Sequence, residues 1–178
     1  AMHAFSRKDF TQAQLLLDSI GNTFLARKNY RRYYQVQNEK GVMLYLTKQY
    51  DSSFRVFTRN VDLMVSHRDT LHYEFAIAMR IMGYLANAWD GVSQSKLYFL
   101  ERQCQALRKM NDKSPVYVDC LGDLGLYYVN TPELLTGINY LLESKKMALA
   151  LGLKHTVLVN DHTITNKLAV EQPYLALE

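Results

Sequence analysis

Apolar residues recur along most of the chain at the spacing of amphipathic helices. In the clearest stretch, Phe75, Met79, Met82 and Ala86 follow one another three or four residues apart, which places them on one helical face. Short groups of Gly, Asp, Asn or Pro separate such stretches and are typical of turns. The pattern predicts an all-α fold of about eight helices, at 3–20, 28–47, 50–66, 70–89, 92–110, 115–129, 132–151 and 155–170.

Several helix ends carry recognisable signals. Ser114-Pro115 and Thr131-Pro132 each predict an N-cap followed by proline at the first helical position, and Leu151-Gly152 predicts a C-cap. The segment 155–178 mixes β-branched and polar residues. It is compatible with a capping helix and tail, with the first helix of a further hairpin, or with a strand.

The helices repeat with a period of 42 residues. Gly41, Gly83 and Gly125 are 42 residues apart, each within an amphipathic stretch where a lone glycine lowers helix stability. After each glycine come an apolar residue at nine positions, a small one at twelve and a large one at sixteen. The three sets are Tyr50, Ser53 and Phe57; Val92, Ser95 and Phe99; and Leu134, Gly137 and Leu141. This register indicates that the glycines share one packing role.

The register resembles the tetratricopeptide repeat, a helical hairpin with a small residue in its first helix, an aromatic residue at the turn, and a small then a bulky residue in its second helix. The best match is GVMLYLTKQYDSSFRVFTRN at 41–60, and KDFTQAQLLLDSI at 8–20 is an incomplete earlier copy. The period is longer than the usual one of about 34 residues, and the terminal proline is absent.

The resemblance covers residues 4–150 and implies a right-handed superhelical solenoid of antiparallel helical hairpins. It implies one domain, 1–178, divided into a partial repeat at 3–27, repeats at 28–69, 70–111 and 112–153, and a capping helix or tail at 154–178.

The resemblance also implies where a ligand binds, because the first helices of successive hairpins line a concave face in such repeats. Counting from the glycines carries the groove positions onto this chain. Arg80 is the most informative of them, since it interrupts an apolar stretch and needs a partner. A salt bridge to Asp119 or Glu74 is the alternative role of Arg80. The groove positions are Asn38, Val42 and Tyr45; Arg80, Tyr84 and Asn87; and Asp119, Leu126 and Asn130.

No sequence motif of catalysis accompanies the repeats. The chain has no GxSxG, no phosphate-binding glycine loop and no HExxH, so we expect no enzyme activity. His155, Asp161 and His162 are the only group that suggests a metal, but the two histidines are nearly two helical turns apart. We expect no metal and no cofactor. Cys104 and Cys120 are expected to be buried free thiols.

Charge and hydropathy narrow the class of partner. The net charge is +4, and the 21 basic residues are scattered among 17 acidic ones, so we do not expect direct nucleic-acid binding. The most apolar stretch, 75–88, is short and contains Arg80, which argues against a membrane span. We therefore predict a non-catalytic module that binds a protein or peptide. The alternative is the sensory or regulatory part of a bacterial transcriptional regulator or signalling protein, since we expect the chain to be part of a longer one.

Three further expectations concern surfaces and location. Of the 13 tyrosines, we expect at least half to be structural and the rest to suit a binding surface. Solenoid ends expose apolar faces, so a homodimer through those ends is possible. The sequence does not decide the cellular compartment. A cytoplasmic location is slightly favoured, and the alternative is that the chain is an exported domain of a membrane-anchored regulator.

Overall fold

The computed structural model describes residues 7–171, and every regular element within that range is an α-helix. The all-α prediction is confirmed for this part of the chain. No helix in it is both long enough and apolar enough to cross a membrane. The eight helices are α1 Arg7–Ala26, α2 Tyr30–Leu46, α3 Tyr50–Ser66, α4 Tyr73–Ala88, α5 Lys96–Lys109, α6 Pro115–Tyr128, α7 Leu134–Ala150 and α8 Lys154–Glu171.

The two ends of the chain differ from the sequence predictions in informative ways. Helix α1 runs six residues further than predicted, because Gly21 lies inside it and faces α2. A Cβ atom on Gly21 would be 2.9 Å from Nε2 of Gln37, the movable end of a flexible side chain, so this glycine lies within the helix and does not end it. The helix predicted at 155–170 is confirmed as α8, Lys154–Glu171, so the strand alternative for this segment is wrong. Residues 3–6 and 172–178 lie outside the described residues.

The predicted helix caps are partly confirmed. Ser114 is the N-cap of α6 with Pro115 in its first turn, and Gly152 follows α7 with a φ of 71°. Helix α7 begins two residues later than predicted, with Glu133 as its N-cap. The hydroxyl oxygen of Thr131 instead accepts a hydrogen bond from the Glu133 N–H at 3.2 Å, which forms a local turn before the helix.

Contacts divide the chain into two compact units, residues 1–96 and 97–178, and the division falls inside the predicted repeat at 70–111. In the first unit α1, α2, α3 and α4 pack in chain order, and α2 also contacts α4. In the second unit α6, α7 and α8 pack in order, and α6 also contacts α8. Within each unit, short turns make consecutive helices antiparallel. In each unit, two helices that are separated by one other helix in the chain are therefore also in contact: α2 with α4, and α6 with α8. This arrangement is expected for stacked helical hairpins.

Two of the three register glycines have the same packing role. A Cβ on Gly41 would lie 2.6 Å from the ring of Phe57, and a Cβ on Gly125 would lie 2.6 Å from Cγ of Leu141. Phe57 and Leu141 are both fully buried, and each follows its glycine by sixteen residues. The second helix of each hairpin therefore places its large side chain directly on the glycine of the first helix.

A buried polar contact recurs at matching positions of the two units. Nδ2 of Asn60 donates a hydrogen bond to the Tyr34 carbonyl at 3.1 Å, and the Ser144 hydroxyl donates one to the Val118 carbonyl at 2.9 Å. Both donors come nineteen residues after the register glycine, and both carbonyls come seven residues before it. The repeat relation therefore extends to the polar contacts that join the two helices of a hairpin.

Four helices are followed, two residues after their last helical residue, by a non-glycine residue in the left-handed conformation. Lys28, Lys48, Arg68 and Asn111 have φ between 53° and 61°. The N–H of the next residue closes the helix in each case, as Gln49 does on the Leu44 carbonyl at 2.9 Å. A Cβ atom in this conformation costs about 1 kcal/mol.

We expect Lys48→Gly to raise the free energy of unfolding by about 0.5–1 kcal/mol, because glycine adopts this φ without steric cost. Urea unfolding followed by circular dichroism would measure the change. Lys48→Ala is the matched control, since it removes the same charge and keeps the Cβ, and it should give no gain. Equal gains in both variants would mean that the charge, and not the backbone conformation, sets the stability at this turn.

The two cysteines form a disulfide, so the prediction of free thiols is wrong. Cys104 lies in α5 and Cys120 in α6, with Cα atoms 5.8 Å apart, and both residues are buried. The sequence places them sixteen residues apart on two different helices. Only the packing of α5 against α6 determines that the two side chains point at one another.

Candidate functional site

Three of the expected groove residues lie together in the first unit. Tyr45 on α2 and Tyr84 on α4 have ring centroids 6.5 Å apart. Nε of Arg80, one turn earlier on α4, donates a hydrogen bond to the Tyr84 hydroxyl at 2.8 Å. The guanidinium carbon of Arg80 also lies 5.7 Å from the centroid of the Tyr84 ring. We refer to these half-buried side chains as the Tyr45–Arg80–Tyr84 cluster.

The cluster is amphipathic and ordered. The contact between α2 and α4 brings the two rings together, and the ring of Tyr50 extends the aromatic surface with a centroid 5.8 Å from that of Tyr45. The hydrogen bond and the ring contact hold Arg80 in one orientation, which lowers the entropy that it loses on binding. Tyrosine and arginine are both enriched at protein interfaces. The composition and order of this surface therefore suit the binding of a peptide.

The two asparagines expected beside Arg80 have different environments. Asn38 is only 4% exposed. Its Nδ2 donates to the Glu74 carbonyl at 2.8 Å, and its Oδ1 accepts from Nδ2 of Asn60 at 2.9 Å. This amide joins α2 to α3 and α4, so it supports the helices that carry the cluster and does not lie on the exposed surface. Asn87 is exposed, three residues after Tyr84 on α4.

The remaining two groove residues belong to the second unit. Asp119 is half-buried within α6, and Asn130 is exposed just beyond the end of that helix. Asp119 lies nine residues before the end of α6, which is about 13 Å along the helix axis, so the two residues are at well separated positions. Nδ2 of Asn130 donates to the Leu126 carbonyl at 2.7 Å, and its Oδ1 accepts from Nζ of Lys167 at 2.8 Å. Asn130 therefore links the end of α6 to α8.

A further cluster on α5, α6 and α7 forms a cleft of about 450 Å³ in the second unit. Cys104 and Leu124 are buried and contribute its apolar floor, whereas most of the other lining residues are polar or aromatic. We refer to it as the Arg108 cleft. Its lining residues are Tyr98, Glu101, Arg102, Cys104, Gln105, Arg108, Leu124 and Tyr140.

One hydrogen bond orients the side chain of Arg108. Its Nε donates a hydrogen bond to the Tyr117 hydroxyl at 3.1 Å. Nη2 lies 3.7 Å from Oε2 of Glu143, which is an ion pair beyond hydrogen-bonding distance. The Tyr117 hydroxyl, with a smaller contribution from the Glu143 carboxylate, raises the pKa of Arg108 above its usual value. The cleft therefore has an oriented and permanently charged guanidinium at its edge.

The aromatic wall of the cleft is also ordered. The rings of Tyr128 and Tyr140 stack with centroids 5.9 Å apart and an interplanar angle of 16°. The Tyr128 hydroxyl donates to Oε1 of Glu101 at 2.9 Å. Burial, and then this bond to Glu101, raise the pKa of Tyr128 to about 12, so the hydroxyl stays protonated at neutral pH. On the rim, the Arg102 guanidinium carbon lies 5.4 Å from the centroid of the Tyr98 ring.

The sequence gives only indirect signals of this cleft. Arg108 belongs to a short basic group, and Tyr117 and Tyr128 contribute to the excess of tyrosine. Tyr140 carries no local signal, because its role depends on the side of α7 that meets α6. The cleft therefore becomes visible only after the three helices are packed.

No group of three or more His, Cys, Asp or Glu residues in the described range is arranged to hold a metal ion. The candidate residues on α8 have other contacts. Asp161 forms an ion pair with Lys145 at 2.5 Å, and Nε2 of His162 lies 2.9 Å from Nδ2 of Asn166. These contacts hold the polar side of α8.

Comparison of the sequence with models of known families finds no match, and comparison with curated proteins also finds none. The function of this chain is therefore inferred from the geometry of the two side-chain clusters.

Proposed function

We propose that this chain is a non-catalytic module of tetratricopeptide-like hairpins that binds a protein or a peptide. The observation that carries the proposal is the Tyr45–Arg80–Tyr84 cluster, whose side chains come from α2 and α4. These are the first helices of two successive hairpins in the predicted repeat. In the proposed arrangement the hairpins stack as a right-handed superhelical solenoid, and the cluster lies on its concave face.

The chemistry of the cluster suits an extended peptide. The two tyrosine rings offer apolar area on side chains with little rotational freedom, and they can pack against an apolar side chain of the peptide. The guanidinium of Arg80 is positively charged and carries N–H groups, the kind of donor that recognises a peptide carbonyl or carboxylate. Because Arg80 is already oriented by Tyr84, binding requires little further ordering.

The distribution of charge supports a protein partner over a nucleic acid. Nucleic-acid binding needs a surface of uncompensated Lys and Arg that contacts many phosphates. In this chain basic side chains from both units are paired with carboxylates, which lowers the net positive potential around them. The pairs are Lys40 with Asp18, Arg55 with Asp51, Arg108 with Glu143, and Lys145 with Asp161.

We expect Tyr45→Ala to weaken peptide binding at least about tenfold, because it removes one of the two packed rings at the centre of the cluster. Peptides would first be selected from a phage-displayed random library on the full 178-residue chain. The affinities of synthetic, fluorescently labelled copies would then be measured by anisotropy for the native chain and the variant.

Leu46→Ala is the matched control for this experiment. Leu46 is the next residue on α2 and is 67% exposed, so its loss should leave both the fold and the affinity unchanged. Circular dichroism would verify that both variants remain folded. Selected peptides that bind the Tyr45→Ala and Leu46→Ala variants with equal affinity would rule out the cluster as the peptide site.

A further inference from the structure

We propose that the Arg108 cleft is a binding site for a peptide carboxylate whose neighbouring side chain is aromatic or apolar. The cleft belongs to the second unit, and the proposal does not depend on the Tyr45–Arg80–Tyr84 cluster in the first. It depends on three features of the cleft: an oriented guanidinium, an apolar floor and an aromatic wall.

The guanidinium of Arg108 receives the carboxylate. Its side chain is 60% exposed, and its Nε is fixed by the Tyr117 hydroxyl at 3.1 Å. Arg108 is one of the lining residues of the cleft, and its Nη2 is 3.7 Å from Oε2 of Glu143, too far for a hydrogen bond. A carboxylate can therefore accept charge-assisted hydrogen bonds from the terminal guanidinium nitrogens without breaking the contact that orients the side chain.

The floor and wall receive the apolar group. Cys104 and Leu124 are 6% and 2% exposed and line the bottom of the cleft, so an apolar ligand group loses contact with water there. Tyr140 lines one side, and its stacking with Tyr128 keeps the ring in place. The volume of about 450 Å³ is in the usual range of sites for small ligands.

The surrounding charges select a single negative charge. Arg102 and Arg108 contribute two positive charges to the cleft, while Glu101 and Glu143 contribute two negative ones. A monovalent carboxylate competes with Glu143 for Arg108. For a doubly charged phosphate the attraction to the arginines and the repulsion from the glutamates both double, whereas the cost of removing the ion from water rises with the square of its charge, so the monovalent carboxylate is favoured. The ligand of this site is therefore a carboxylate from an acidic side chain or from a chain terminus.

The test uses minimal probes and the full chain labelled with ¹⁵N. N-acetyl-phenylalanine presents a terminal carboxylate, and N-acetyl-aspartyl-phenylalanine amide presents a side-chain carboxylate. N-acetyl-phenylalanine amide is the neutral control. For ligands of this size we expect dissociation constants on the order of 1 mM, read from chemical-shift changes. The neutral amide should bind at least about tenfold more weakly than the better acid, and the ranking of the two acids identifies the source of the carboxylate.

Two variants in the cleft should change the affinity in opposite directions. Arg108→Gln should weaken binding of the tighter-binding of the two acids about tenfold, since the charged donors are lost. Glu143→Gln should strengthen it about two- to fivefold, because a competing negative charge is removed. Arg55→Gln is the matched control: it removes an exposed arginine paired with Asp51 on α3, and it should leave the affinity unchanged.

Three affinity results would overturn the proposal, and a failure to detect binding would be a fourth. The three affinity results are equal binding of the acid and the neutral amide, native affinity in Arg108→Gln, or weaker binding in Glu143→Gln. The absence of saturable shifts at about 10 mM probe would have the same meaning. Because the probe contacts only the second unit, none of these results would contradict peptide binding at the Tyr45–Arg80–Tyr84 cluster.

Discussion

Gly137→Ala is expected to lower the free energy of unfolding by about 3 kcal/mol, a large fraction of the stability of a domain of this size. A Cβ on Gly137 would lie 2.5 Å from the backbone nitrogen of Val129 and 2.9 Å from the carbonyl oxygen of Gly125. Backbone atoms of a packed helix cannot turn aside as a flexible side chain can. The added methyl group therefore forces α7 away from α6. Urea unfolding of the purified variant would measure the loss.

Gly122→Ala is the matched control, because it makes the same substitution at a buried helical glycine of the same unit. A Cβ on Gly122 would lie 3.6 Å from the Ser144 hydroxyl oxygen and 4.0 Å from Oδ1 of Asn160, which are ordinary contacts. Alanine also favours the helix over glycine by up to about 1 kcal/mol, so this variant should be as stable as the native chain or more stable. If both variants gained stability, the close approach at Gly137 would be refuted.

Loss of the Cys104–Cys120 disulfide is expected to lower the free energy of unfolding by about 3 kcal/mol. The bond joins residues sixteen apart, and opening a loop of this length returns that much conformational entropy to the unfolded chain. The double variant Cys104→Ala with Cys120→Ala should unfold at a lower urea concentration than the oxidised native chain. Urea unfolding with and without a phosphine reductant would measure the effect.

The reductant itself distinguishes the disulfide from simple packing of the two residues. Reduction should lower the unfolding midpoint of the native chain, and it should leave that of the double variant unchanged. Titration of thiols in the unfolded chain before reduction should find none, because both cysteines are in the disulfide. Two reactive thiols under non-reducing conditions would contradict the bond.

The positions of the helices could be predicted from the sequence because helix formation depends on residues three and four positions apart. The proline after Ser114 and the glycine after Leu151 mark ends that the structure confirms. The predicted end of α1 is wrong, because Gly21 lies inside that helix, whereas Gly152 follows the end of α7. The difference lies in whether a partner helix is present, and no local pattern contains that information.

The candidate sites could be predicted only in part. Counting from the register glycines placed Tyr45, Arg80 and Tyr84 on neighbouring first helices, and in the structure these side chains are in contact. The same counting placed Asn38 in the groove, whereas its amide is buried among three helices. The register position of a residue specifies which face of its helix carries the side chain. Burial depends on how closely the neighbouring helices approach.

By itself, the sequence determined the helical class, the 42-residue register and a shared packing role for the register glycines. These follow from periodicity and residue size, which are properties of the chain alone. Tertiary structure decided the disulfide and the Arg108 cleft. Both depend on which sides of α5, α6 and α7 meet, and that is set by the packing of all the helices in the unit together.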